Sequence, residues 1–302
     1  MTTVADLIER TYRTYLYPPD YEPAMVSLNG AIGTSDTTIT LDEFVVPEDE
    51  DLLRIGALIE LDRELVRVTD WDNITRDAIV VRAQRGTVAA THADGIFMVL
   101  MPSFPRIAVY EAIRDNIIAL SPQLFTVGQD LLVDISAHCA PIADDLAVDV
   151  IEAWQHDAPS ANVDYDARIV DWHPRVGGRA VVTNLAMGTL WIRYKRRMGV
   201  VADETDDLAD LGVETVWETI IMTGVAADLL VGRDIPQSQA EFIGSVLQAE
   251  NIPIGQRTSI AVALSRYRDV LINRYQNEMR SEYRVKVHMR NPFEVRTRPW
   301  FG

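Results

Sequence analysis

The most chemistry-like constellation in this chain is Asp164-x-Asp166-x4-Asp171-x-His173, three carboxylates and an imidazole within ten residues. Such a set could serve a hydrolase, a carboxylate acting as general base beside a histidine. On an extended strand Asp164 and Asp166 share a face, but the spacing forms no established catalytic motif. Trp154, Trp172 and Trp191 are the residue type of a carbohydrate platform, although indoles on strands fit buried sheet packing better. His138-Cys139 lacks a third orienting group, so an inert thiol is expected. The acidic run Pro47-Glu48-Asp49-Glu50-Asp51 lacks the glycine and closing glutamate of a calcium loop and reads as a solvated connection. Gly177-Gly178 marks a turn without a phosphate-loop pattern. His92, taken as a lone histidine without a nearby carboxylate, cysteine or second histidine, is a weak ligand candidate and reads as a loop histidine bonding backbone. No catalytic residue, metal ligand or cofactor is expected, and a hydrolase or carbohydrate-binding protein is the second alternative function.

Composition narrows the field further. The 302 residues are 48% hydrophobic, enough for a sizeable core divided over two or three units. No apolar run approaches the roughly 20 residues that span a bilayer, and the opening MTTVADLIERTYRTYLYPP lacks a signal peptide's apolar core. The single cysteine, Cys139, excludes an intramolecular disulfide and points to synthesis in a reducing cytoplasm. The net charge of −17 disfavours broad adhesion to nucleic acid. Its distribution is uneven. From Arg266 onward nine Lys/Arg face four Asp/Glu, about +5, which leaves 19 basic and 41 acidic residues, about −22, in the rest. An acidic body with a basic end suits a head-to-tail contact between chains.

The elements follow from periodicity. Val4 to Tyr17 has a helical stripe (Val4, Leu7, Ile8, Thr11, Tyr12, Tyr15) ended by Pro18-Pro19, and Tyr12, Tyr15, Tyr17 and Tyr21 are expected to pack. Strands are predicted at 37–41, 58–61, 64–68, 78–82 and 96–100, with a hairpin turn at Asp62-Arg63. A helix then opens at Pro105, with the stripe Ile107, Tyr110, Ile113, Ile117 and Leu120, and stops at Ser121-Pro122. A second β unit is predicted from strands at 129–135, 148–154, 165–170, 179–185 and 189–194, and Lys195-Arg196-Arg197 ends its last strand as a surface cluster. From Asp206 the pattern is helical through Leu230, with Asp203, Glu204, Asp206 and Asp207 at the favourable N-terminal end. A further helix carries Phe242, Val246 and Leu247 behind a capping box at 238–241. A long one follows from about Gly255 to Tyr283, with the stripe Ile260, Leu264, Tyr267, Leu271, Tyr275 and Met279. The expected class is α+β: a small β barrel or sandwich near the N-terminus, a second β unit, and a C-terminal helical bundle with an extended basic tail. The boundaries are 1–24 (helix and linker), 25–102 (small β module), 103–122 (connecting helix), 123–200 (second β unit), 201–283 (helical core) and 284–302 (extended arm).

Two stretches carry a resemblance. TTITL, RIGALIELDRELVRVTDW and VVRAQRGTVAATHADG in sequence resemble a small β domain of tailed-bacteriophage virion proteins, here through Arg85-Gly86-Thr87, Ala89-Ala90, His92 and Gly95. The extra glycine often found before the threonine is missing. Gly224-Val225-Ala226-Ala227-Asp228-Leu229-Leu230-Val231-Gly232-Arg233-Asp234 is similar to the helical cores of phage head-to-tail connectors. The resemblance implies a neck adaptor without catalysis, a homo-oligomeric ring, by family habit a dodecamer, below the portal protein. It would join the tail-side neck proteins, pass DNA through its lumen without specific binding, touch no membrane, and reside in the virion neck after assembly in the host cytoplasm. A tail or baseplate protein is the first alternative. Partner binding is assigned to the C-terminal arm, whose basic and aromatic residues are Arg284, Lys286, Arg290, Phe293, Arg296, Arg298, Trp300 and Phe301.

Overall fold

A computed structural model describes residues 2–17, 21–44, 47–156, 168–169, 172–174, 180–183, 187–231, 243 and 257–282. The fold is α+β, with two curled antiparallel sheets and, among the described residues, four α-helices. The chain divides into two compact units: residues 1–122 with 198–271, and residues 123–197 with the chain from Ile272.

The first unit holds a six-stranded sheet built from β1 (Met25–Ser27), β2 (Thr38–Thr40), β3 (Leu58–Leu61), β4 (Glu64–Asp72), β5 (Asp77–Val81) and β6 (Phe97–Leu100), in the order β1-β6-β3-β4-β5-β2. Its two outer strands are brought together beyond their ends. Leu28 bridges Leu41, the Asn29 N–H donates to the Thr40 carbonyl at 2.9 Å, and the Asp42 N–H donates to the Ser27 carbonyl at 2.9 Å. Alternate residues fill the concave side: Val26, Ile39, Ile59, Leu61, Val66, Val68, Ala78, Val80, Met98 and Leu100 form one buried cluster, as a period of two requires. The Asp62-Arg63 hairpin is present, with Leu61 paired to Glu64 and Asp62 at φ 50°.

Helix α1 (Val4–Thr11) starts with a capping box in which Thr3 and Asp6 satisfy each other's backbone N–H, and it buries Val4, Leu7, Ile8 and Thr11. A π turn over Tyr12–Leu16 continues it, and Tyr12, Tyr17 and Tyr21 stack in series while Tyr17 meets Phe104. Helix α2 (Arg106–Leu120) follows Pro105, as expected, but its buried face is Val109, Ile113, Asn116, Ile117 and Leu120. Helix α3 (Glu218–Leu230) buries most of its residues on all sides and is therefore central to the helical layer.

Three predicted features are corrected here. The helix expected from Asp206 begins only at Glu218, after a short 3-10 turn at Thr215–Trp217. Acidic side chains competed for the backbone: Asp206 accepts from the N–H of Ala202 (2.7 Å) and Asp203 (2.9 Å), Asp203 from that of Thr205 (2.9 Å), and Asp207 from that of Ala209 (2.9 Å). Gly212, at φ 73°, then turns the chain. Along helix α4 (Arg257–Glu282), Ile260, Leu264 and Met279 are buried as predicted, whereas Tyr267 is exposed and Ala261 and Ile272 are buried instead. The segment predicted as a helix over Val4 to Tyr17 is helical to Leu16, but from Tyr12 as a π turn and not as α-helix.

The second unit is a seven-stranded sheet: β7 (Thr126–Ser136), β8 (Cys139–Pro141), β9 (Ala147–His156), β10 (Arg168–Ile169), β11 (Trp172–Pro174), β12 (Ala180–Thr183) and β13 (Met187–Arg196), ordered β10-β9-β13-β7-β8-β12-β11. The short strands β8 and β11 were not predicted, being too brief for alternation to register. Val150, Leu190, Ile192 and Tyr194 lie in its core, but Val148, which simple alternation along the strand predicted at 148–154 would put on Val150's face, is half exposed. A register shift explains this: Arg196 pairs with Ala147 and Lys195 with Asp149, so Val148 is the unpaired bulge residue. The basic cluster at the end of β13 is engaged locally, Lys195 with Asp149 (3.1 Å) and Arg196 with Asp144 (2.9 Å).

Candidate functional site

The densest polar constellation lies inside the first sheet. Glu64 occupies the same face of β4 as Val66 and Val68, so strand alternation drives its carboxylate into the apolar interior, where it is 1% exposed. A buried carboxylate needs partners. Arg82 supplies a two-pronged pair, Nε to Oε1 at 2.6 Å and Nη2 to Oε2 at 2.5 Å. The N–H groups of Ala83 and Ala90 each donate to Glu64 at 3.1 Å, and His92 Nε2 lies 3.0 Å from Oε2. Burial pushes Glu64 upward, but the hydrogen bonds from Arg82, Ala90, His92 and Ala83 outweigh it and hold the carboxyl at about 2.

The same groups fasten two loops. Arg82 Nη1 donates to the carbonyls of Gly33 (2.9 Å) and Asp36 (3.1 Å), and Nη2 to that of Ala90 (2.7 Å). His92 Nδ1 lies 3.1 Å from Asp62 of the β3–β4 turn, and its backbone bridges Ile32 in both directions at 3.0 Å. Thr87 Oγ1 donates to the Gln84 carbonyl at 2.8 Å and accepts from the Leu65 N–H at 3.2 Å. Gly86 and Gly95 take positive φ, 83° and 78°, at the two corners. His92 is thus no backbone-satisfied loop residue. It is wedged between two carboxylates, Asp62 and Glu64, that lie 30 and 28 positions away in sequence.

A second hub surrounds Arg106, the first residue of α2. Pro105 cannot cap with a side chain, and Glu60 of β3 takes that role by accepting the Arg106 N–H at 2.5 Å. The Arg106 guanidinium meets Glu9 of α1 (2.6 Å) and Glu204 (2.9 Å), while Arg63 reaches Asp203 (3.2 Å) and Glu204 (3.4 Å). Burial pushes Glu60 up to about 7, with Glu204 adding to the rise, against the opposing N–H bond and charge of Arg106. Burial, then the negative charge of Glu60, also raises the Tyr12 hydroxyl, which donates to the Phe104 carbonyl at 2.8 Å. Glu60 binds its proton more tightly in the folded state, so its contribution is greatest below about 4.5, its usual value, and is lost as pH rises towards 7. Glu60→Gln keeps an acceptor for Arg106 and removes the titration. Urea midpoints across pH 5–8 are expected to fall less steeply for this variant than for the wild type; parallel curves would contradict the assignment.

The groups here are consumed in pairing, and among the described residues no cluster of three or more His, Cys, Asp or Glu is placed to hold a metal. No helix among them is long and apolar enough to cross a membrane. Trp154 and Trp191 are register partners on β9 and β13, and Trp172 lies on β11 at the other edge of the sheet order. Asp164, Asp166, Asp171 and the His173 side chain lie outside the described residues, as do all arm residues: Arg284, Lys286, Arg290, Phe293, Arg296, Arg298, Trp300 and Phe301. The capping box at 238–241 and its helix also fall outside them, apart from the buried Ile243. Cys139 is a half-buried free thiol on β8. No protein-family model matches the chain, and no curated protein matches it either.

Proposed function

We propose that this protein is a non-catalytic head-to-tail adaptor of a tailed phage, forming a ring below the portal protein and joining the DNA-filled capsid to the tail. On this reading residues 25–102 are a small barrel used for mounting, the helices form the subunit core, and the basic arm docks on the portal or a neighbouring subunit. Tail-side neck proteins bind below, and DNA crosses an acidic lumen that does not hold it.

One observation carries the reading beyond the motif resemblance. The mounting module encloses a dense polar cluster beside its apolar core and leaves several large apolar side chains exposed. Glu64, Arg82 and His92 are buried and spent on one another, while Ile55 (74% exposed), Ile74 (89%), Val88 (79%) and Phe97 (67%) stand in solvent. A catalytic pocket needs the opposite, polar groups reachable by substrate. Exposed apolar side chains held on a rigid frame suit protein–protein contact.

Removing residues 284–302 tests the arm. The shortened chain is expected to remain soluble and folded by circular dichroism but to lose attachment to DNA-filled heads. Attachment at the wild-type level would sink the arm's role.

A further inference from the structure

We infer that the outer face of β6 and β1 is the docking surface for the C-terminal arm of a second copy of this chain. Strand alternation places Phe97 and Val99 on the side of β6 away from the buried cluster, and the β1 pairing sets Met25 beside Val99 and Ser27 beside Phe97. Phe97 is 67% exposed although it lies within a strand flanked on both sides by β1 and β3. Met25 (42%) extends the strip on β1, and Met101 (39%), at φ 47°, lies just past the end of β6. A large aromatic at the start of a strand and paired across to β1, with an exposed methionine two residues along that neighbour, belongs to an uncovered sheet face and not to a loop tip.

The strip's charge selects its occupant. Asp42 accepts at 2.7 Å from the Oγ of Ser27, the residue paired across from Phe97, and Asp94, three residues before Phe97, accepts from the Gly30 N–H at 2.7 Å. Among the described residues neither of these carboxylates forms an ion pair with arginine or lysine. An apolar strip with an uncompensated acidic rim calls for a cationic segment rich in aromatics. Residues 284–302 are that segment, with five Lys/Arg against one Glu together with Phe293, Trp300 and Phe301. Their rings can cover Phe97 and the methionines, and their guanidinium groups can meet the aspartates or lie over the Phe97 ring. The inference takes from the adaptor reading only the need for contact between copies.

Sedimentation velocity of the full chain alone, at low and high salt, decides it. The wild type is expected to self-associate with a concentration-dependent, salt-weakened constant. Phe97→Asp and the double variant Arg296→Glu/Arg298→Glu are each expected to weaken it about tenfold or more, as loss of an interfacial anchor does, whereas Phe97→Trp retains it. Phe97 is exposed, so an unchanged melting curve certifies the fold of each variant. A strictly monomeric wild type, or a folded Phe97→Asp chain that associates normally, would overturn the inference. Either result leaves portal attachment, measured separately with filled heads, to judge the adaptor reading.

Discussion

Arg82→Ala is expected to lower the stability of the first unit by about 3–5 kcal/mol, the usual cost of removing one member of a buried ion pair. Arg82 and Glu64 side chains are 7% and 1% exposed, so the stranded carboxylate has no water to turn to. The loss reaches further than one bond, because the same guanidinium also holds the carbonyls of Gly33, Asp36 and Ala90. With total stabilities of about 5–15 kcal/mol for a typical domain, much of the chain would unfold at physiological temperature. Urea denaturation measures this directly. Pairing it with Glu64→Gln should recover part of the loss, since the uncompensated charge is then gone; a single-variant cost below about 1 kcal/mol would contradict a buried, interlocked pair. The pH dependence carries the same signature. Glu64 is held at about 2 against an ordinary 4.5, so its stabilisation is present above about 4.5 and is lost as pH falls towards 2. Glu60 acts in the opposite direction between about 4.5 and 7. The contribution of these two carboxyls is therefore greatest near pH 4.5–5 and declines on either side.

Gly224→Ala should destabilise the helical layer, the reverse of what the same change does on an exposed helix. Alanine gains about 1 kcal/mol of intrinsic helix propensity over glycine. At Gly224, however, an added Cβ would collide with Asn116 Oδ1 of α2 and come within 2.8–2.9 Å of the Arg268 guanidinium of α4. Asn116 cannot retreat freely. It is 2% exposed, and its Nδ2 donates to the Ala112 carbonyl (2.9 Å) and to Asp228 (2.8 Å). Overpacking of this kind costs about 1–3 kcal/mol, and weakening the Asn116 bonds adds to it. A net loss of about 1–2 kcal/mol is expected, and larger for Gly224→Leu. A rise in melting temperature for Gly224→Ala would show that the helices do not cross this closely.

The sequence made the regular parts legible where alternation or helical spacing was sustained. The strands at 58–61, 64–68 and 78–82, the hairpin at Asp62-Arg63 and the start of α2 after Pro105 all follow from local pattern. Asp203, Asp206 and Asp207 were misread because acidic residues that favour a helix start also form side-chain turns, and Gly212 decided between the two. Val148 was misplaced because a bulge breaks the period of two without leaving a mark in composition. The buried Glu64–Arg82–His92 cluster was missed, although one signal was present: Glu64 sits two and four positions before Val66 and Val68, on the strand's apolar face. A carboxylate there demands a cation, and the next strand ends beside Arg82. His92 could not be assigned to the cluster from sequence, since the two carboxylates it meets are brought to it only by closure of the sheet. Phe97 gave no warning either, because an aromatic in a strand is ordinarily core, and its exposure depends on which face the sheet turns inward.

The central claim, a position between head and tail, is tested most directly by imaging virus particles that carry a tagged form of this chain. The account predicts label in a single ring at the vertex where the tail joins the capsid, below the portal. Label along the tail, at its distal tip or over the capsid shell, or particles that carry none, would contradict it.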